Sequence, residues 1–69
     1  MGAGERIKAA RARKVWGQAE LAREAGISPN TLYRIEVGGH EPRPATIRKI
    51  ARVLGIDPAE LVGSASGAA

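Results

Sequence analysis

The chain has 69 residues and no cysteine, which allows one small domain near the lower limit for independent folding and excludes disulfide staples and thiolate metal sites. Its 11 Lys and Arg against 7 Asp and Glu leave a formal net charge of +4, a balance that favours anionic partners, nucleic acid before acidic membrane surfaces. No apolar run approaches membrane-spanning length, no signal peptide opens the chain, and MGAGER lacks the Ser or Thr of a myristoylation signal, so a cytoplasmic protein without a membrane partner is expected.

Trp16 and Tyr33 are the aromatic residues, so the core must be aliphatic. Residues 1–4 are expected as a disordered N-terminus, and helical composition runs from about Gly4 to Lys14. Ile7, Ala10 and Arg11 share its inner face. Glu5 suits the positive end of the helix dipole, and Arg13 with Lys14 suit the negative end. Val15 and Trp16 break the pattern. Gly17 takes an N-cap position, a weaker cap than Ser or Thr. A second helix is expected over Gln18 to Ala25, with Leu21 and Ala22 inward. Trp16 before the cap and Leu21 at the fourth helical position form a hydrophobic staple, which assigns Trp16 to the core. Gln18 opens this helix, where free N–H groups and the dipole attract phosphate, and its carboxamide adds a donor. Gly26 ends it.

The next stretch, GISPNTLYRIEVG, is the most informative. Ser28 is a good N-cap and Pro29 sits at the first helical position, where its missing N–H does no harm. Ile27 and Leu32 form a second staple. Gly38 is expected to end the helix, which runs over about 29–37. On a period of 3.6, Leu32 and Ile35 point one way, while Asn30, Tyr33, Arg34 and Val37 point the other with Pro29 on the rim. An amide, a phenol and a guanidinium on one wet face hydrogen-bond readily to base edges. A helix, a short turn containing Gly and a capped second helix make the helix-turn-helix layout, so this reads as a DNA recognition helix. Arg34 is the natural reader of a guanine O6/N7 edge and Asn30 of an adenine N6/N7 edge. Tyr33 suits a base or a phosphate. Gln18, Ser28 and Thr31 are candidates for the DNA backbone.

The loop GGHEPRP follows. His40 is either a plain exposed loop residue or a phosphate contact, and Arg43 is the better phosphate candidate of the two. Ile47, Ile50, Ala51 and Leu54 then recur at i, i+3, i+4 and i+7, marking a fourth helix that starts at Pro44 and closes at Gly55. Arg48, Lys49 and Arg52 form its wet face. Asp57, Pro58 and Glu60 start a short fifth helix as cap, first residue and capping-box partner, with Ile56 and Leu61 as a third staple. Residues 63–69, GSASGAA, read as a flexible tail or linker after a domain at 5–62.

One loop histidine, no cysteine and no carboxylate pair outside caps and salt bridges argue against an enzyme, and so short a chain encloses no typical cleft. No catalytic residue, metal site, cofactor or small-molecule ligand is expected.

The segments ERIKAARARK, GQAELAREAGIS, TLYRIEVGG and PRPATIRKIARVLGI together resemble the XRE family, the DNA-binding domains of lambda-type phage repressors and Cro. The similarity covers about Glu5 to Val62. It implies an all-α fold, a compact five-helix bundle with a lambda repressor-like helix-turn-helix, that binds operator DNA as a symmetric homodimer. By position it implies that Gln18 clamps phosphate, that Pro29, Asn30, Tyr33 and Arg34 read bases, and that Arg11 pairs structurally with Glu36. There are departures: Pro29 replaces an often polar residue and leaves apolar contact with a thymine methyl, while Val37, Gly39 and Gly17 replace a common Asn, a basic residue and a Ser or Thr cap. Val53, Leu61 and Val62 are the candidate dimer residues. The expected function is a sequence-specific double-stranded DNA-binding transcriptional regulator, in the first instance a repressor. The rival is a protein-interaction or antitoxin-type adaptor built on the same bundle. RNA binding ranks third, because no aromatic stacking platform exists beyond Tyr33.

Overall fold

The computed structural model describes residues 2–62, and every regular element in that span is a helix. The five are α1 (Ala3–Arg13), α2 (Gln18–Ala25), α3 (Pro29–Glu36), α4 (Pro44–Leu54) and α5 (Pro58–Val62). The expected tail at 63–69 lies outside the described residues.

Each helix gives the centre one large side chain that is fully removed from solvent: Ile7, Leu21, Leu32, Ile50 and Leu61. Burying such a side chain is worth about 1.5–3 kcal/mol, so the five together form the main stabilising block of a chain without disulfides. Ala10, Ala22, Ala25 and Ala51 fill the space between them and let the helices approach closely. α2 packs on α3 and α4, α1 packs on α3 and α5, and α4 packs on α5. The apolar stripe of α4 falls as its periodicity predicts, with Ile47, Ile50, Ala51 and Leu54 all buried.

The ends of the helices follow from local chemistry. Left-handed Gly26 and Gly55 terminate α2 and α4 with φ of 75° and 73°. Asp57 caps α5 by accepting the Ala59 N–H at 2.8 Å. Gly17 offers α2 no side-chain cap, in keeping with its residue type.

Three expectations need correction. The first concerns the N-terminus: α1 begins at Ala3, and Ala3 is buried, so the expected disorder over 1–4 does not extend to residues 3 and 4. Gly4 is the reason, since a Cβ there would overlap the Ile35 carbonyl oxygen, and its bare backbone lets α1 lie against the end of α3. The second concerns the end of α3. The helix stops at Glu36 with Val37 as its C-cap, and the left-handed glycine is Gly39 (φ 73°), not Gly38. Gly38 is instead crowded, a Cβ there lying 2.8 Å from the Arg34 carbonyl oxygen. The third concerns the dimer candidates: Leu61 is 1% exposed and belongs to the core, because the staple turns it inward. Val53 is half-buried against the core and Val62 remains exposed.

Val15 carries an anomaly. It is β-branched, 88% exposed and left-handed at φ 58°, a region such residues rarely enter. It turns the chain between α1 and Trp16, which packs half-buried on the core with the Lys14 ammonium 5.4 Å from its ring centroid.

Candidate nucleic-acid interface

Helix α3 divides as its wheel requires. Leu32 and Ile35 are buried, while Pro29, Asn30, Tyr33 and Arg34 are exposed together on the outer side. Ser28 fixes where the helix starts. Its Oγ accepts the Thr31 N–H at 3.0 Å and donates to Thr31 Oγ1 at 2.9 Å. The two hydroxyls thus share one hydrogen bond within the cap. A phosphate oxygen only accepts, and the pair keeps one uncommitted hydroxyl hydrogen beside the Ser28 backbone N–H to offer it.

The far end of α3 is held by a buried ion pair. Arg11 donates through Nε and Nη2 to the two carboxylate oxygens of Glu36, at 3.0 and 2.8 Å. The Glu36 side chain is 0% exposed and that of Arg11 14%. Arg11 Nη1 also donates to the Trp16 carbonyl at 2.7 Å. One guanidinium thus ties α1, the α1–α2 turn and α3 together. The bidentate geometry is the strong form of the Arg–carboxylate interaction.

Gln18 joins this network: its Nε2 donates to Glu36 Oε1 at 3.0 Å. One amide hydrogen is committed inward and the other stays available. The carboxamide at the start of α2 is therefore fixed relative to α3 instead of swinging freely. Nothing local in the sequence links residues 18 and 36, so only the family resemblance could bring Glu36 into view, and it did so through Arg11 alone.

A second group gathers on the opposite flank of α3. Thr31, Arg34, His40, Glu41, Arg43 and Thr46 line a hollow of about 370 Å³ floored by Ile35 and Pro42. Three of the expected backbone candidates, Thr31, His40 and Arg43, thus converge, and Arg34 reaches the same place from the base-reading face. Gln18 is not among them and stands with Glu36. Thr46 matches the family pattern but was not expected at the site, because a threonine one turn into α4 has no distinctive spacing. Among the described residues no group of three or more His, Cys, Asp or Glu is placed to hold a metal ion, and no helix is long and apolar enough to cross a membrane.

Comparison with known proteins agrees with the fold. A helix-turn-helix family model matches residues 7–61. The chain is 36% identical over 56 residues to an uncharacterised HTH-type transcriptional regulator of Mycobacterium bovis, covering 81% of this chain and 22% of that protein. It is 36% identical over 63 residues to the immunity repressor protein of Bacillus phage phi105, covering 91% of this chain and 44% of that one. The chain therefore spans less than half the length of these relatives. Among solved structures, the P22 c2 repressor protein in complex with a synthetic operator superposes with a TM-score of 0.81 at 27% identity, covering 90% of this chain and 94% of that one.

Proposed function

The chain belongs to the helix-turn-helix family of the XRE type, and from that premise we propose that it is a sequence-specific double-stranded DNA-binding regulator that acts as a repressor. The observation that carries this reading is α3: Asn30, Tyr33 and Arg34 stand outward on a short helix whose two ends are pinned, one by the Ser28 cap and the other by buried Glu36. A helix so held enters the major groove with its side chains already in place. Arg34 takes a guanine edge, Asn30 an adenine edge, and Pro29 a thymine methyl. Gln18, Ser28, Thr31, His40 and Arg43 hold the flanking phosphates and set register. The phage immunity repressor and the operator-bound P22 c2 repressor favour repression over activation. A homodimer, with Val62 at its contact, reads two half-sites roughly 34 Å apart. On this reading the domain works in the cytoplasm and its role is binding, not catalysis.

The test is selection from random duplex DNA on the purified chain, then titration of the enriched duplex at two salt concentrations. An enriched site bound less tightly as salt rises supports the reading. Salt-sensitive binding without enrichment overturns it in favour of a basic protein on a polyanion. The adaptor reading has one observation in its favour, an apolar groove lined by Pro44, Ile47, Pro58, Ala59 and Val62, and it moves to first place in that event.

A further inference from the structure

The hollow beside α3 contains the chain's only histidine. Arg34 faces His40 from α3, Glu41 and Arg43 face it from the loop, and Thr31 and Thr46 contribute hydroxyls. With Arg34 engaged at a base edge, the Arg43 guanidinium and the Glu41 carboxylate leave the seat formally neutral with the imidazole neutral and +1 with it protonated. His40 is not a loose loop residue: its backbone N–H donates to the Arg34 carbonyl at 3.1 Å, directly after left-handed Gly39. The main chain of His40 is thus anchored to the helix that presents Arg34.

We propose that this hollow seats one backbone phosphate of the bound DNA and that protonation of His40 tightens the seat, so that DNA affinity is proton-linked. The proposal rests on the DNA-binding reading above. A phosphodiester keeps its charge across the physiological range, and guanidinium does so as well. Histidine is the residue type in this lining that changes charge between pH 5 and 8. An added cation beside a phosphate favours the bound state. By linkage, DNA then raises the pH at which the imidazole loses its proton, and affinity is highest at acid pH and falls as pH rises through the midpoint of the complex. Any duplex supplies the phosphate, so the effect does not depend on base sequence.

A single histidine makes the test direct. The imidazole proton resonances of the whole chain are followed against pH, free and saturated with a random-sequence duplex, and duplex affinity is measured at pH 5.5 and 8.0 at constant ionic strength. The expected result is an upward midpoint shift of about 0.5–1 unit on binding, matched by ~3- to 10-fold tighter binding at the lower pH. In His40→Gln the affinity ratio between the two pH values should fall to that of the background. A midpoint unmoved by DNA, or an unchanged ratio in His40→Gln, overturns the proposal. A raised midpoint without sequence preference upholds the phosphate seat and refutes the operator reading. Sequence preference with an unmoved midpoint does the reverse, and failure to bind any duplex refutes both.

Discussion

Arg11 and Glu36 lie 25 positions apart and meet through two parallel hydrogen bonds, with the carboxylate wholly removed from solvent. The pair sits where α1, the Trp16 turn and the end of α3 converge, and Gln18 completes it from α2. A carboxylate in that position is stable only while its guanidinium is present, because an unpaired buried charge carries the full desolvation penalty. The relation links sequence to function through a single contact: the side chain that stabilises the domain also holds the inner end of the helix that faces outward with Asn30, Tyr33 and Arg34.

Arg11→Ala should therefore destabilise the domain by about 3–5 kcal/mol, a large share of what so small a fold has available. Arg11→Met combined with Glu36→Leu should cost much less, since no charge is left stranded. Urea denaturation of the three chains checks this. Similar costs for the single and double variants would show that packing, not charge, governs the site.

Val15 offers the opposite effect. Its left-handed, exposed conformation stores strain that glycine does not feel. Relief of about 1–2 kcal/mol is partly offset by the greater freedom of glycine in the unfolded chain. Val15→Gly should raise stability by a net ~0.5–1 kcal/mol, and Val15→Asn should act in the same direction. A lower denaturation midpoint for both would mean that Val15 makes a stabilising contact.

Arg43 should behave as a phosphate contact. It lines the hollow together with Thr31 and His40. Arg43→Gln should weaken binding to all duplexes by a similar factor and reduce the slope of log affinity against log salt by about 1. A loss confined to the enriched sequence would move Arg43 to the bases.

Most of the fold was legible because its signals are local. Capping by Ser28 and Asp57, termination at Gly26 and Gly55, and the spacing of Ile47, Ile50, Ala51 and Leu54 each depend on neighbours within a turn or two. The division of α3 into Leu32–Ile35 and Asn30–Tyr33–Arg34 faces followed from periodicity alone. What escaped depends on distant partners. Ala3 looked like a frayed end because its burial depends on packing across the bundle, where Gly4 meets the Ile35 carbonyl. Leu61 looked available for a partner because its burial is set by α1 and α4. Gln18 looked free because the carboxylate that holds it is 18 residues away. Thr46 joins the hollow only once the 37–43 loop has brought the start of α4 across from Thr31 and Arg34.

The most direct measurement compares Arg34→Ala with the parent chain on the enriched duplex and on a scrambled duplex of equal length. If Arg34 reads a base edge, the variant should lose about 1–3 kcal/mol, roughly 5- to 150-fold, on the enriched duplex and much less on the scrambled one, with one base position relaxed. An equal loss on both duplexes would contradict base reading by α3 and leave Arg34 as one more cation on the DNA backbone.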